Sequence, residues 1–579
     1  MAAAAWLGVK ASTVNDELQA AMQLVPVLKE HAALDNPVDA AEVAADIREH
    51  TVAAKNAVAD PVWTLASSIP WAGANFSAVT EIARSADDVA SLGLKPLVSA
   101  YKSLDWNKLV PNATESDLGP LEAASPTVAS AAYAVKTSAQ RLNQIDETAL
   151  LPSVRDPLQR ARGQLNEVSG TLSAAADASR IAPAMMGAAE PRSYLLMIQN
   201  NAEARSSGGI PGALAVVYFD KGRLSLGAQS SASELGTMDP VVAVDPVQQQ
   251  IYSSRLGKFM QDVNLTPDFP TAAKSAQAMW ERKTGQHVDG VISIDPVVLS
   301  YILQATGPVT IKDDSKEPVN TFGLPSKLSG DNVVQTLLSD VYAKVPQPKL
   351  QDRYFSAVAR EVFAALSEGG GDAKNLLGGI TRGAEEGRVL IWSGVEAEQS
   401  TLVRYAVGGS VAGANISPAE FGVYFNDGTG AKMDYYIKRN VQLIRKCPKD
   451  GYEETTVRVV STNTAPRDAA KSLPSYVTGD GNFGVSPGSV QTNIVVYGPA
   501  QANVETVSTN GAQTPFAPYL HDNRPVGVIA QQLAPGETST VDFNFGKIVQ
   551  HTEPNLVVTP SVQPVNEVKL PTTIASCPQ

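Results

Sequence analysis

Residues that could bind a phosphate group occur together in the segment 200–209, NNAEARSSGG. Arg205 offers a planar guanidinium for a bidentate contact, and Gly208 with Gly209 would let backbone N–H groups approach an anion closely. Glu203 could orient that guanidinium or bind a divalent cation. An ordinary Glu203–Arg205 salt bridge before a tight glycine turn explains the same pattern equally well. We expect a binding region that contains Asn201, Glu203, Arg205, Gly208 and Gly209.

Further polar residues could complete this site, namely Asn264, Asp268, Asp289 and Asp295, with His287 as the one histidine of the region. Asn264 is predicted to bind, and Glu203 with Asp268 could hold a magnesium ion. In that case Arg205 and Asp268 would be catalytic in a phosphoryl transfer, because the metal and the arginine would share the developing charge. Asp268 and Asp295 each precede a predicted helix, so helix N-capping is the alternative.

A second polar pair lies in the segment NDGTGAKMDYY, where Lys432 and Asp434 follow a predicted hairpin turn. Two residues apart on a strand, they face the same side, which permits an ion pair or a polar contact with the central domain. No P-loop, nucleophile elbow, zinc signature or dinucleotide fingerprint occurs. No cofactor other than this magnesium is therefore expected.

The elements that must position these residues change in type along the chain. Up to residue 190 the sequence is rich in alanine and holds seven of the 43 glycines, which is typical of helices. Two apolar stripes with helical spacing predict a long antiparallel hairpin. The stripes are Val128, Ala131, Val135, Leu142 and Ile145, then Leu158, Ala161, Leu165, Val168, Leu172 and Ala175.

From residue 191 strand and helix patterns alternate, which indicates a layered sheet with covering helices. Residues 193–200 are predicted as a strand, 201–212 as a polar loop, and 213–227 as two strands around the turn at Lys221. After about residue 416, short strands separated by Asn, Gly and Pro indicate a sandwich. We expect a multidomain α+β chain with a helical stalk or bundle (10–190), a central α/β domain (191–415) and an antiparallel β-sandwich (416–579).

Aromatic residues interrupt the helical region at 61–76, PVWTLASSIPWAGANF. Pro61, Pro70 and Gly73 break the helical pattern there, and the segment also holds Trp63, Trp71 and Phe76. We expect these rings to pack together between helices, with a ligand-binding aromatic box as the alternative.

The two cysteines, Cys447 and Cys577, both lie in the last quarter of the chain, as a single structural disulfide would require. Closing a loop of this length contributes at most about 4–5 kcal/mol in the chain-entropy description. Two unrelated buried thiols are the alternative.

The charge and the N-terminus limit the possible partners. The net charge of -13, without a basic stripe, argues against nucleic acid as a partner. Residues 1–9, MAAAAWLGV, are almost wholly apolar and suggest the outer end of a transmembrane helix; a short Ala-rich helix start is the alternative.

Several segments resemble the bacterial domain-of-unknown-function family numbered 4012, over residues 60–545. They include NNAEARSSGGIPGALAVVYFDKGRLSL, IPWAGANF, DFPTAAKSAQAMWERKTGQHVDGVISIDP, RVLIWSGVEAEQ, DGTGAKMDYYI and LPSYVTG. The resemblance implies a membrane-anchored protein that faces outward in Gram-positive bacteria, often associated with surface-polysaccharide genes. The activity of that family is not established.

The central segment also resembles the LytR-CpsA-Psr family, which transfers glycopolymers from a polyprenyl-pyrophosphate carrier to the cell wall. In that family an Arg-Ser-Asp motif precedes a strand; here Arg205 and Ser206 are followed by Ser207. Ser207 and Gly208 stand where an acidic metal ligand would be expected, which puts the metal chemistry of that family in doubt for this chain.

Together these patterns predict an extracellular cell-envelope protein, anchored at the plasma membrane by an N-terminal helix. Our leading hypothesis is a non-catalytic protein that scaffolds or binds a surface glycopolymer or its polyprenyl carrier. The first alternative is a phosphotransferase that acts on a polyprenyl-pyrophosphate-linked glycan through Arg205, carboxylates and magnesium. The second alternative is a homo-oligomeric subunit of a surface layer or filament.

Overall fold

The computed structural model describes residues 2–33, 37–103, 108, 117–312, 316–369, 371–413 and 416–575. It divides into two compact units. The helical unit comprises residues 1–109 and 117–190, and the mixed unit comprises 110–116 and 191–579. The chain thus combines an N-terminal helical region with C-terminal strands in several sheets. The predicted domain boundary near residue 416 stays a prediction.

The helical unit is built from long helices whose small and branched side chains pack in separate clusters. Val14, Ala54 and Trp63 form the centre of one cluster, and Leu142 with Leu158 form another. No helix among the described residues is long and apolar enough to cross a membrane. The helices are Ala2–Ala33, Pro37–Val58, Pro61–Ala66, Gly73–Asp88, the π-helix Val89–Leu94, Lys95–Ser103, Gly119–Asn143 and Pro152–Met185.

The predicted helical hairpin is present as Gly119–Asn143 and Pro152–Met185. Leu142 and Leu158 are almost fully buried, as the stripes require, whereas Val168 is 38% exposed. The second stripe is therefore buried at its start and open to solvent further along. Residues 1–9 do not form a separate element, because helix Ala2–Ala33 runs through residues 2–9.

The aromatic segment at 61–76 is only partly packed. Trp63 is 2% exposed, lies edge-on to Phe76 with ring centroids 4.9 Å apart, and donates its Nε1–H to the Thr80 hydroxyl at 3.0 Å. Trp71, in contrast, is 83% exposed, so the prediction that all three rings pack together was wrong for Trp71. The glycine and proline around it form a turn that leads this ring away from the cluster.

The first sheet of the mixed unit has five strands in the order β3-β2-β1-β4-β7. β1 pairs antiparallel with β2 and parallel with β4, and β7 is antiparallel to β4. Leu195, Met197 and Val291 of this sheet pack against Phe269 and Trp280 of a covering helix. The strands are β1 Arg192–Arg205, β2 Gly208–Asp220, β3 Arg223–Ser231, β4 Gly290–Ile294, the small pair β5 Val309–Thr310 and β6 Lys327–Leu328, and β7 Leu390–Ser393.

The covering helices agree with the predicted patterns. The helix Phe269–Thr284 ends at Gly285, which takes the left-handed conformation with φ of 72°. The other helices of seven or more residues in this part are Pro246–Tyr252, Pro296–Thr306, Lys316–Phe322, Pro348–Ser367, Ala373–Glu385 and Glu396–Leu402. Shorter helical turns are Ala232–Leu235, Ser254–Gly257, Met260–Asp262, Val333–Gln335, the π-turn Thr336–Asp340, Val341–Lys344 and Ala406–Gly408.

The predicted polar loop 201–212 is not a loop. β1 continues to Arg205 and β2 begins at Gly208, so only Ser206 and Ser207 form the turn. Residues 201–209 are all buried. The prediction failed because polar side chains that bond to one another inside the protein have the same composition as a solvated loop. The second predicted turn is confirmed, with Lys221 and Gly222 at φ of 53° and 79°.

The C-terminal strands form two further sheets, β13-β12-β16-β10-β9-β18 and β14-β15-β11-β8-β17. Phe421 and Ile494 of one sheet and Val441, Val457 and Phe543 of the other belong to one buried cluster. The strands are β8 Glu420–Asp427, β9 Ile437–Arg445, β10 Glu453–Asn463, β11 Val490–Tyr497, β12 Asn503–Thr509, β13 Ala512–Gln513, β14 Ala517–His521, β15 Arg524–Leu533, β16 Thr538–Ile548, β17 Asn555–Val558 and β18 Thr573–Ile574. Short helical turns here are Asp434–Tyr436, Ala469–Ser472, Ser475–Thr478, Gly479–Gly481 and Val565–Val568.

The last described strand lies next to the first cysteine. β18 pairs in parallel with β9, with Ile574 opposite Arg445, two residues before Cys447. β18 is an edge strand, as predicted for this segment. Cys577 lies outside the described residues, so the Cys447–Cys577 disulfide stays a prediction.

Candidate functional site

A bulge in β1 creates the polar region that the sequence singled out. Asn200 pairs with Ile210 of β2, but the next paired residue of β1 is Ala204, opposite Gly209. Residues 201–203 therefore have no partner on β2, and a bulge of this kind redirects side chains. We call residues 199–211 the hairpin arm. Its tip reaches the C-terminal strands, because Ala204 belongs to the buried cluster that they form.

Arg205 forms its ion pair with Asp262 and not with Glu203. The Arg205 guanidinium donates to Asp262 Oδ1 at 3.0 Å and to the carbonyl oxygen of Ala204 at 3.0 Å. Arg255, which is largely exposed, donates to the other oxygen of Asp262 at 2.7 Å. The predicted Glu203–Arg205 salt bridge was wrong, because Arg205 pairs with Asp262 and Glu203 pairs with Lys432. Arg205 is 6% exposed.

Glu203 instead pairs with Lys432, a residue more than 200 positions later. Lys432 Nζ lies 2.9 Å from Glu203 Oε1, and the two side chains are only 8% and 10% exposed. The ammonium also lies 4.1 Å from the ring centroid of Tyr476 and 5.1 Å from that of Tyr342. Burial works to lower the pKa of Lys432, but the charge of Glu203 outweighs it and raises that pKa. The predicted polar contact of Lys432 with the central part is confirmed.

Asp434 also contacts the hairpin arm, as predicted. Its Oδ2 accepts a hydrogen bond from the backbone N–H of Ala204 at 3.0 Å, and its Oδ1 accepts one from Arg439 at 2.6 Å. Burial, together with the negative charge of Asp434, raises the pKa of neighbouring Asp427 to about 7. Asp427 accepts from the Thr429 hydroxyl at 2.6 Å, within the NDGTG turn. Asp434 therefore supports the tip of the arm directly, whereas Asp427 holds its own turn.

The glycines of the arm allow close packing. The Gly209 N–H donates to Gln199 Oε1 at 2.8 Å, so it is already used by the protein. Gly208 has φ of 137°, a conformation that other residues rarely adopt. Asn264 donates to Ser207 Oγ at 3.0 Å and to the Gly209 carbonyl at 2.8 Å. Gln199 and Asn264 therefore hold the turn between β1 and β2 by hydrogen bonds.

The other predicted carboxylates have local structural partners. Asp268 is the N-cap of helix Phe269–Thr284 and accepts from the Thr271 hydroxyl at 2.6 Å, and Asp295 is the N-cap of helix Pro296–Thr306. The N-cap interpretation of both is confirmed. Asp295 also accepts from Arg388 at 2.7 Å and from Asn201 at 3.2 Å. Asp295 is thus connected to the arm, whereas Asp268 bonds to its own helix and accepts from the N–H of Val411.

His287 and Asp289 precede strand β4, whereas Asp295 follows it. Asp289 accepts from the N–H of Ser193 at 2.7 Å, at the start of β1. His287 is 72% exposed and lies 2.6 Å from Glu281. Among the described residues, no group of three or more His, Cys, Asp and Glu could hold a metal ion. Glu203 pairs with Lys432 and Asp268 caps a helix, so the residues proposed for magnesium do not fit that ion together.

A cavity of about 180 Å³ opens beside the arm. Its polar end is formed by Asn200, Glu203 and Lys432, together with Tyr342 and Tyr476. Asn200 donates to the Tyr342 hydroxyl at 3.0 Å, which fixes the amide at this end. The remaining wall is mainly apolar, with Ile198, Ile210, Leu299, Leu337, Leu338, Phe355 and Val358. Of the described residues that line this cavity, none is Arg205.

Sequence reasoning missed several of these residues. Asp262, Tyr342 and Tyr476 lie in short helical turns without a recognisable motif, so the partners of Arg205 and Lys432 carried no signal of their own. The π-turn Thr336–Asp340, which supplies Leu337 and Leu338, is also a feature that sequence periodicity does not predict.

Residues 189–342 match the model of a family described as a protein of unknown function, DUF4012. No curated protein matches the chain. The matched range includes the hairpin arm and Tyr342, while Lys432 and Tyr476 lie beyond it. The match supports the resemblance to this family over residues 189–342, a shorter range than the expected 60–545. The resemblance to the LytR-CpsA-Psr family has no further support.

Proposed function

We propose a function from the cavity, because the family model that residues 189–342 match describes proteins of unknown function. The proposed function is that of a non-catalytic cell-envelope protein that binds one residue of a surface glycopolymer. The observation that carries this proposal is the composition of the polar end of the cavity. An acid–amine pair, an amide and two tyrosine rings converge there in front of an apolar wall. Such a mixture suits a sugar, which offers both hydroxyl groups and an apolar C–H face.

The size of the cavity favours one sugar residue over a polyprenyl chain. The cavity volume is about 180 Å³. A drug-sized ligand needs roughly 300 Å³ or more. A polyprenyl carrier would require a long apolar groove, whereas the apolar wall here ends at charged residues. The glycan is therefore our choice between the two ligands expected from the sequence.

Phosphoryl transfer receives less support. Arg205 would have to contact the phosphate, yet it is 6% exposed and pairs with Asp262. A metal ion at Glu203 would lie beside the Lys432 ammonium, which is 2.9 Å from the same carboxylate, and the two positive charges would repel each other. We assign both pairs to positioning the arm and the polar end of the cavity.

The remaining parts of the proposal concern the setting. We infer that the two C-terminal sheets form a β-sandwich, because both contribute to one buried cluster. An outward-facing address in the envelope, with the Cys447–Cys577 disulfide, agrees with that arrangement. Association of identical chains in a surface layer is a separate possibility that the cavity does not require.

Saturation-transfer NMR tests the proposal on the purified chain. The probes are glucose, galactose, mannose, rhamnose, arabinose and N-acetylglucosamine. We expect at least one of them to bind with Kd of about 1 mM, because about twelve non-hydrogen atoms at about 0.3 kcal/mol each give about 4 kcal/mol. Tyr476→Ala should weaken that binding at least about fivefold, since the ring is 43% exposed at the cavity and its loss should leave the fold intact.

Tyr133→Ala is the matched control, because Tyr133 is 72% exposed in the helical unit. It should bind the sugar as the wild type does. Absence of transfer to every sugar would refute the proposal. Binding of undecaprenyl phosphate alone, with none of the sugars, would favour the carrier over the glycan.

A further inference from the structure

The cavity beside the hairpin arm has a carboxylate at its wall that lies outside the polar end described above. Asp352 lies on helix Pro348–Ser367 and lines the cavity. The preceding residue, Gln351, is buried and donates to the Val345 carbonyl at 2.7 Å. Asp352 is instead exposed, so a ligand in the cavity can reach its carboxylate.

The charge of Asp352 has a like charge nearby and no opposite one. Burial and the negative charge of Glu234 raise the pKa of Asp352, and no lysine or arginine among the described residues lowers it. The Ser230 hydroxyl holds Glu234 in place by donating to its Oε2 at 2.7 Å, and the adjacent Ser231 and Ala232 line the cavity. Asp352 is therefore a carboxylate whose charge the described part of the protein leaves uncompensated.

The wall also has an acceptor that lacks a donor. Gln261 lines the cavity, and its Oε1 is buried without a hydrogen-bond partner among the described residues. A ligand that supplies an N–H or O–H group there would relieve the cost of this unpaired acceptor. Four other side chains of the wall already donate their N–H groups within the protein, namely Gln199, Asn200, Gln351 and Lys432.

The sum of the charges at the wall is negative. The charged side chains that line the cavity, among the described residues, are Glu203, Asp352 and Lys432. Glu203 and Lys432 neutralise each other, which leaves the charge of Asp352. This charge also acts on the polar end, since it contributes to the raised pKa of Tyr342. The cavity should therefore attract a cationic ligand and repel an anionic one.

We propose that the sugar residue bound in the cavity carries a free ammonium group, and that this group pairs with Asp352. The inference rests on the proposed function, because it specifies the class of sugar. An ammonium group brings three N–H donors and a positive charge, whereas a hydroxyl or an N-acetyl group brings no charge. A uronic acid would place a second carboxylate beside the first. Asp352 is then the residue that determines specificity.

Titrations by saturation-transfer NMR with the full chain test this inference. The probes are glucosamine, galactosamine and mannosamine, each compared with its N-acetyl form and its parent hexose, together with glucuronic and galacturonic acid. At least one amino sugar should bind about fivefold more tightly than both of its neutral counterparts, an effect typical of an ion pair at an accessible carboxylate. The uronic acids should bind more weakly than the hexoses.

Asp352→Asn removes the charge and keeps the size of the side chain. It should reduce the preference for the amino sugar to about twofold or less and change the Kd of the parent hexose by less than about twofold. Asp331→Asn is the matched control, because Asp331 is exposed and does not belong to the cavity wall, while the change in net charge is the same. This control should keep the fivefold preference.

Equal binding of amino and neutral sugars, or an unchanged preference in Asp352→Asn, would overturn the inference and leave the proposed function standing. If none of the sugars binds, the proposed function fails and the inference fails with it. Nα-acetyl-lysine amide is the further probe for that case. Its binding without that of any sugar would assign the carboxylate to a lysine side chain of a protein partner.

Discussion

Replacing Lys432 by methionine tests the buried ion pair that forms the polar end of the cavity. The substitution leaves the Glu203 carboxylate without its cation at a position where both side chains are at most 10% exposed. Breaking one side of such a pair costs about 3–5 kcal/mol. Loss of the contacts with the Tyr342 and Tyr476 rings adds about 1 kcal/mol.

We therefore expect Lys432→Met to lower the free energy of unfolding of the mixed unit by about 4–6 kcal/mol. Hydrogen exchange in urea, read at amides of the mixed unit, measures this loss separately from unfolding of the helical unit. The double variant Glu203→Gln/Lys432→Met removes both charges, so most of the stability should return. Its loss should be no more than about 2 kcal/mol.

Lys344→Met is the matched control, because Lys344 forms an exposed ion pair with Asp340 at 3.1 Å. Its expected cost is within about 0.5 kcal/mol. If Lys432→Met were as mild as this control, Glu203 would not depend on Lys432 for its charge. If the double variant were less stable than Lys432→Met, the cost of burying an unpaired Glu203 carboxylate would not explain the loss of stability in Lys432→Met.

Two further predictions concern Asp427, at the end of β8, and Gly209, in the hairpin arm. The pKa of Asp427 is raised from 3.8 to about 7, so the contribution of this group to the free energy of unfolding is full below pH 3.8 and is lost as the pH rises through about 7. Urea unfolding at several pH values should show this decline, and Asp427→Asn should abolish it. An unchanged decline in that variant would assign it to another group. Gly209→Ala should destabilise the mixed unit by about 2 kcal/mol or more, because the new methyl group would overlap with the Asn200 backbone. Gly163→Ala, at an open helical position, should instead stabilise by about 0.5–1 kcal/mol, and equal effects of the two changes in thermal unfolding would contradict this packing argument.

Periodic patterns predicted the regular elements well. Helix Phe269–Thr284 with Gly285 at its end, the N-caps Asp268 and Asp295, and the turn at Lys221 all follow from bonds within a few residues. Local chemistry of this kind is recorded directly in the order of residues. The edge position of the last strand also follows from its prolines.

The site itself was less predictable, because its pairs join distant parts of the chain. Arg205 has Asp262 as partner and Glu203 has Lys432, so the charge pattern of 200–209 alone suggested the wrong salt bridge. Polar composition also suggested an exposed loop where the structure has a buried bulge. Nothing in the spacing distinguishes a polar segment that meets water from one that meets Asp434.

The hairpin arm is synthesised long before one of its hydrogen-bond partners. The Ser206 carbonyl accepts from Thr559, which follows it by 353 residues. At about 5–20 residues per second, a ribosome needs about 20–70 s to produce that partner after the arm has been made. During this interval the polar groups of the tip depend on water, and the bulged strand is exposed to pairing with other chains. Slow, late completion of the fold is therefore a cost of placing the arm in the first third of the mixed unit.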